Sequence, residues 1–139
     1  PFRATIDNHD PDYSMYEVSH FAQLVLKGNP KLIEPFYAPK YVYNQHPYWL
    51  KLSQYRKAFL TDVVLDQYVS YAKSQVKSSK QKSDNKRWYH AVRLIHEAYE
   101  IAQGAQPKVF LQGEIQQLIM DIRLAKIDDA QAQMIFQKK

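Results

Sequence analysis

Residues 12–39 read DYSMYEVSHFAQLVLKGNPKLIEPFYAP. From Tyr16 to Leu26 the apolar side chains fall at Val18, Phe21, Ala22, Val25 and Leu26. That spacing repeats with the helical period and predicts an amphipathic helix. Gly28-Asn29 ends it, because glycine takes the left-handed backbone that closes helices. Pro30 suits the first turn of a new helix, where its missing N–H has no partner to lose. Pro35 then cuts the second helix short. Two short helices joined by a hard stop predict a fold built from helices with brief connections.

The same reading extends along the chain. Arg3-Ala4-Thr5-Ile6 predicts a short strand, and Asp7 to Asp12 a turn rich in Asn, Pro and acids. Phe36 to Phe59 holds eight aromatics, of which most are expected in the core and some could stack on bases. Tyr41-Val42-Tyr43 reads as a strand or an extended link. Pro47 opens a helix expected to reach about Phe59, and Thr61-Asp62 caps a longer one through about Lys77. Ser78 to Asn85 reads as a Ser/Lys-rich loop. Lys86 to Ala102 is the most regular helical stretch, closed by Gly104. Lys108 to Leu111 suggests a short strand or turn, and 113–126 and 129–137 two final helices. The fold class expected is mainly α, with one or two short strands.

At 139 residues there is room for one domain, 1–139, with residues 1–15 as a strand-and-turn lead-in. Hydrophobic content of 45% and charge of 24% fit a globular protein. Cysteine is absent, which excludes disulfides and thiolate chemistry, and five scattered histidines offer no zinc-like spacing. No apolar run is long enough for a membrane helix and no leader pattern is present, so a cytoplasmic location is expected. The first residue is proline rather than methionine, which reads as a processed product or a fragment. The net charge is +5. Residues 1–30 set Arg3 and Lys27 against Asp7, Asp10, Asp12 and Glu17, so the basic excess lies beyond them. A basic body suits an anionic partner, and equally suits plain solubility.

The sharpest chemical pattern lies on the 86–102 helix. At 100° per residue, Lys86, His90, Arg93 and Glu97 fall at about 0°, 40°, −20° and 20°. Leu94 and Ile101 edge this stripe, which suits a cleft better than an open face. Trp88, Val92, Ile95 and Tyr99 form the opposite, buried face. Lys, His and Arg so aligned could grip phosphate, with Arg93 as a fork. The competing reading is a solvated stripe with Arg93 and Glu97 as an i, i+4 pair. Lys73 and Gln75 stand near Lys77 in a basic run to Arg87 that could track a nucleic-acid backbone or form a mobile surface. Asp10-Pro11-Asp12 imitates a metal-binding acid pair, but proline has no place inside a paired strand, so a turn is expected.

Taken with Asn29-Pro30 followed by Glu34, with Tyr71-Ala72-Lys73-Ser74-Gln75, and with Lys86-x-x-x-His90-x-x-Arg93-Leu94, the order of motifs from about Tyr13 to Arg123 resembles one family. It is similar to the C-terminal half of RlaP-like nucleotidyltransferases in the DNA polymerase β superfamily. The resemblance implies the helical portion of an α+β nucleotidyltransferase fold. It implies that Lys73, Gln75, Lys86, His90 and Arg93 bind a nucleoside triphosphate and its acceptor. It also implies magnesium, held in part by Glu17, since Tyr16-Glu17-Val18 looks like the third metal carboxylate of the superfamily. That carboxylate comes from a strand, whereas a Glu at a helix start answers equally to the helix dipole. The Gly-Ser turn and Asp-x-Asp pair of the superfamily do not occur here. The chain alone is therefore expected to be inactive, with a missing N-terminal half or a second chain joining near Arg3–Ile6. The alternative is a non-catalytic basic module that binds nucleic acid or a protein partner.

Overall fold

A computed structural model describes residues 5–38, 46–82 and 85–138. Strands β1 (Thr5–His9) and β2 (Asp12–Tyr16) form an antiparallel hairpin, with Ile6 opposite Met15 and Asp7 opposite Ser14. Helices α1 (Val18–Leu26) and α2 (Pro30–Ile33) follow, and a 3-10 turn, Glu34–Tyr37, extends α2. Helix α3 (Pro47–Ser53) and a 3-10 turn at Arg56–Phe59 lead into α4 (Asp62–Lys82) and α5 (Asn85–Ala102). Helices α6 (Glu114–Arg123) and α7 (Asp129–Lys138) complete the described chain. The fold is mainly α with one small two-stranded sheet.

The stop between α1 and α2 works as its residues dictate. Gly28 adopts φ +77°, the Asn29 side chain caps α2 by accepting from Lys31 N, and Pro30 takes the first turn. Glu34 continues the turn but Pro35 tightens it into 3-10 geometry. Gly28 is also pressed against the start of α4: a Cβ there would lie 2.8 Å from Val64 Cα.

Helices α4 and α5 pack along one another more extensively than any other helix pair, and α6 and α7 pack on α5. Ala72, Ala91 and Ala98 are buried in this core, where small side chains permit close helix approach. One cluster joins Val25, Ile33, Phe36, Val64, Tyr68 and Leu94 from α1, α2, α4 and α5. A second joins Trp88, Val92, Ile122 and Ala132 from α5, α6 and α7. Val76 and Phe136 pack against both.

Several expectations change. In place of a strand at Arg3–Ile6, whose first two residues lie outside the described ones, and a turn at Asp7–Asp12, a hairpin runs from Thr5 to Tyr16 with its turn confined to Asp10-Pro11. Its polar residues are tolerated because the ribbon is largely exposed on both faces. The helix from Pro47 does not run on to Phe59. Trp49 and Phe59 both pack on the Phe36 ring, with centroids 4.7 and 5.3 Å away. Ten residues of straight helix would separate them by about 15 Å, so the chain breaks after Ser53. The loop expected from Ser78 is helical to Lys82, since Ser, Lys and Gln without Gly or Pro do not stop a helix. Of the strand or turn expected at Lys108–Leu111, the strand does not form, and the backbone bends at Val109-Phe110. On α5, Tyr99 is exposed rather than buried. Tyr41-Val42-Tyr43 lies outside the described residues.

Gly28→Ala is expected to destabilise the chain by about 2 kcal/mol or more, because both the positive φ and the Val64 backbone oppose a Cβ. Urea denaturation of the two proteins checks this.

Candidate functional site

A cleft of about 780 Å³ opens between α2 and its 3-10 extension, α4, α5 and the segment around Val109. Pro30, Pro35, Ala38, Leu94 and Val109 give it apolar walls. Lys31, Lys86, Arg87, His90 and Arg93 supply its basic side chains, and Tyr71 and Gln75 reach it from α4. Glu34 is the one carboxylate among the described residues that line it.

The polar stripe read on α5 thus faces a cleft along most of its length. Lys86, His90 and Arg93 line it, with Leu94 beside them. Glu97, the fourth member, is turned inward and only 3% exposed. Gln75 lies in the cleft, whereas Lys73 is exposed and outside it. Lys31 belongs to the cleft but was not singled out in the sequence, whereas Tyr71 and Arg87, which also line it, stood in the matching run and the basic run without an assigned ligand role. Arg87 lies about 100° from Lys86 on the helical wheel, off the stripe. The clustering of basic residues up to Arg87 was the available signal.

Arg93 is clamped. One terminal nitrogen lies 2.9 Å from Glu34 Oε1, and the other 3.6 Å from Glu97 Oε2. Glu34 thus holds one side of the guanidinium closely, and Glu97 lies near the other at a longer distance. Burial works against the guanidinium charge, but Glu34 and Glu97 more than offset it and push the Arg93 pKa up. The two carboxylates share this one cation unequally. Glu34 is nearer and more open to solvent, while burial first and the neighbouring Glu34 second raise the Glu97 pKa to about 8. Glu97 is thus held largely protonated at neutral pH. Tyr68 is fully buried beside it, and burial, Glu97 and Glu34 together push its ionisation up.

Glu17 stands elsewhere. It follows β2 directly and forms the N-cap of α1, accepting from Ser19 N at 3.0 Å and His20 N at 2.9 Å. Those backbone hydrogen bonds hold its pKa below the usual value. Both carboxylate oxygens are engaged in the cap, the structural alternative weighed against the metal role. Among the described residues no group of three or more His, Asp or Glu side chains is placed to hold a metal ion. Asp10 and Pro11 form the hairpin turn, as expected of them.

The family model described as RlaP, RNA repair pathway DNA polymerase beta family, matches residues 3–129. The chain belongs to the RlaP family. The match spans both the hairpin and the helices that build the cleft. That family is a DNA polymerase β-like nucleotidyltransferase family. No curated protein and no solved structure matches the chain. No helix among the described residues is long and apolar enough to cross a membrane.

The Glu97 environment has a pH consequence for this RlaP member. Its folded pKa, about 8, exceeds its ordinary value of 4.5, so the native state binds the proton more tightly than the unfolded chain. The stabilisation is complete below that ordinary value and is lost as pH rises through the folded value. Melting temperature is expected to fall by several degrees from pH 5 to pH 8.5. Glu97→Gln, which mimics the protonated acid, should flatten that decline; calorimetry across the range measures both.

Proposed function

We propose that this chain supplies the cleft in which a nucleotidyltransferase holds a nucleoside triphosphate. The observation that carries the reading is the convergence of Lys86, Arg87, His90 and Arg93 on one cleft with apolar walls. Phosphate groups suit the cationic stretch, where each ion contact is charge-assisted. A nucleoside suits walls formed by Pro30, Pro35, Leu94, Val109 and the Tyr71 ring. Family membership supports transfer of a nucleotidyl group as the reaction served. The described residues contribute binding and orientation to it: cations that offset phosphate charge, and walls that exclude water from the bound nucleotide.

The words RNA repair in the family description favour a polynucleotide acceptor. Lys73 and Lys77 are exposed on α4 outside the cleft. They can reach a ligand only if it is long enough to leave the cleft, as a polynucleotide is and a mononucleotide is not.

Calorimetric titration with ATP and with tripolyphosphate tests the reading. The double substitution Lys86→Ala with Arg87→Ala should weaken both at least tenfold, with the melting temperature measured alongside to show that the variant is folded. Lys73→Ala should leave ATP affinity unchanged. Equal affinities in the double variant and the unmodified chain would refute the site.

A further inference from the structure

Cations line the cleft, Lys31 and Arg93 among them, but among the described residues its one carboxylate stands at a single place, Glu34. Lys86, Arg87 and His90 occupy the first turns of α5, and the carboxylate of Glu34 sits beside Arg93 farther along that helix. Lys86 and Arg93 are seven residues apart, or about 10 Å along the axis. A phosphate laid against Glu34 would meet a like charge in a partly desolvated setting, where repulsion is strong. A hydrogen-bond donor placed there would instead gain a charge-assisted bond. The carboxylate can serve this way because it cannot easily turn aside. It stands at the start of the Glu34–Tyr37 turn, between Pro30 and Pro35, and Arg93 holds it at 2.9 Å. Its side chain retains 18% exposure, at the cleft wall.

We propose that Glu34 determines ligand orientation and specificity in this cleft by accepting hydrogen bonds from the ribose hydroxyls of a ribonucleotide. The phosphates then lie toward Lys86, Arg87 and His90. The separation between the two ends favours the sugar over the base as the donor, because an extended triphosphate reaches the ribose at that distance and the base lies beyond it. Arg93 is the positioning residue of the pair: it neutralises part of the Glu34 charge and fixes its direction. The assignment rests on the nucleotide-binding reading of the cleft and adds to it a selection for ribose over deoxyribose.

The test is a binding series on the unmodified chain and on Glu34→Gln, with tripolyphosphate, ATP, 2′-deoxy-ATP, 3′-deoxy-ATP and inosine triphosphate as probes. The unmodified chain should bind ATP about tenfold more tightly than at least one of the deoxy analogues. ATP and inosine triphosphate should bind alike. In Glu34→Gln the preference for ATP over the deoxy analogues should fall to within about twofold, while tripolyphosphate binds as tightly as before or more tightly. The series on the unmodified chain needs no variant, so a failure of Glu34→Gln to fold does not remove the test. Equal binding of ATP and both deoxy analogues to the unmodified chain overturns the assignment alone. A loss for inosine triphosphate in place of the deoxy analogues moves the donor to the base and overturns it too. If Glu34→Gln weakens ATP and tripolyphosphate by the same factor, the residue is structural and the assignment is overturned. If neither tripolyphosphate nor ATP binds the unmodified chain, the cleft reading itself falls, and this assignment with it.

Discussion

One guanidinium joins two parts of the chain that lie far apart in sequence. Arg93, on α5, reaches Glu34 at the end of α2 and Glu97 one turn along its own helix. The link fixes the short α2 segment against the long α4–α5 pair, and the cleft is the space left between them. Removing one partner would leave charge stranded in a poorly solvated place, a larger cost than the net worth of the pair. The three charges cannot all persist beside the buried Tyr68, and the proton retained on Glu97 resolves the conflict.

The hairpin is tied to the same region more lightly. Lys31 donates to Ser14 Oγ at 3.0 Å and lies 4.0 Å from Asp7, between a strand pair and the first turn of α2. Both Lys31 and Asp7 are well exposed, so this contact orients the hairpin more than it stabilises the fold. Lys31 also lines the cleft, which makes the hairpin a neighbour of the proposed nucleotide.

Local signals carried most of the helical order. Gly28, Asn29, Pro30, Pro35 and Gly104 act through backbone geometry that each residue imposes within a turn of itself, so α1, α2 and α5 were readable in advance. The cleft-facing side of α5 was readable too, because Leu94 edges a stripe whose charge alone would suggest solvent. What the sequence hid depends on distant partners. The break after Ser53 follows from two aromatics converging on Phe36. The burial of Glu97 follows from Tyr68 and Glu34 arriving from other helices. Neither of these is written in periodicity, since periodicity describes one helix and each of these facts joins two elements.

The two tryptophans fall into different parts of the core. Trp49 stacks on Phe36 beside the cluster of α1, α2, α4 and α5, while Trp88 is buried with α6 and α7. Their emission therefore reports two regions separately once either ring is replaced by phenylalanine. Exposure of Trp88 to a quencher before Trp49 would show the C-terminal pair of helices peeling from α5 while the cleft is still assembled. Coincident exposure would show that Val76 and Phe136, which touch both clusters, bind them into one cooperative unit.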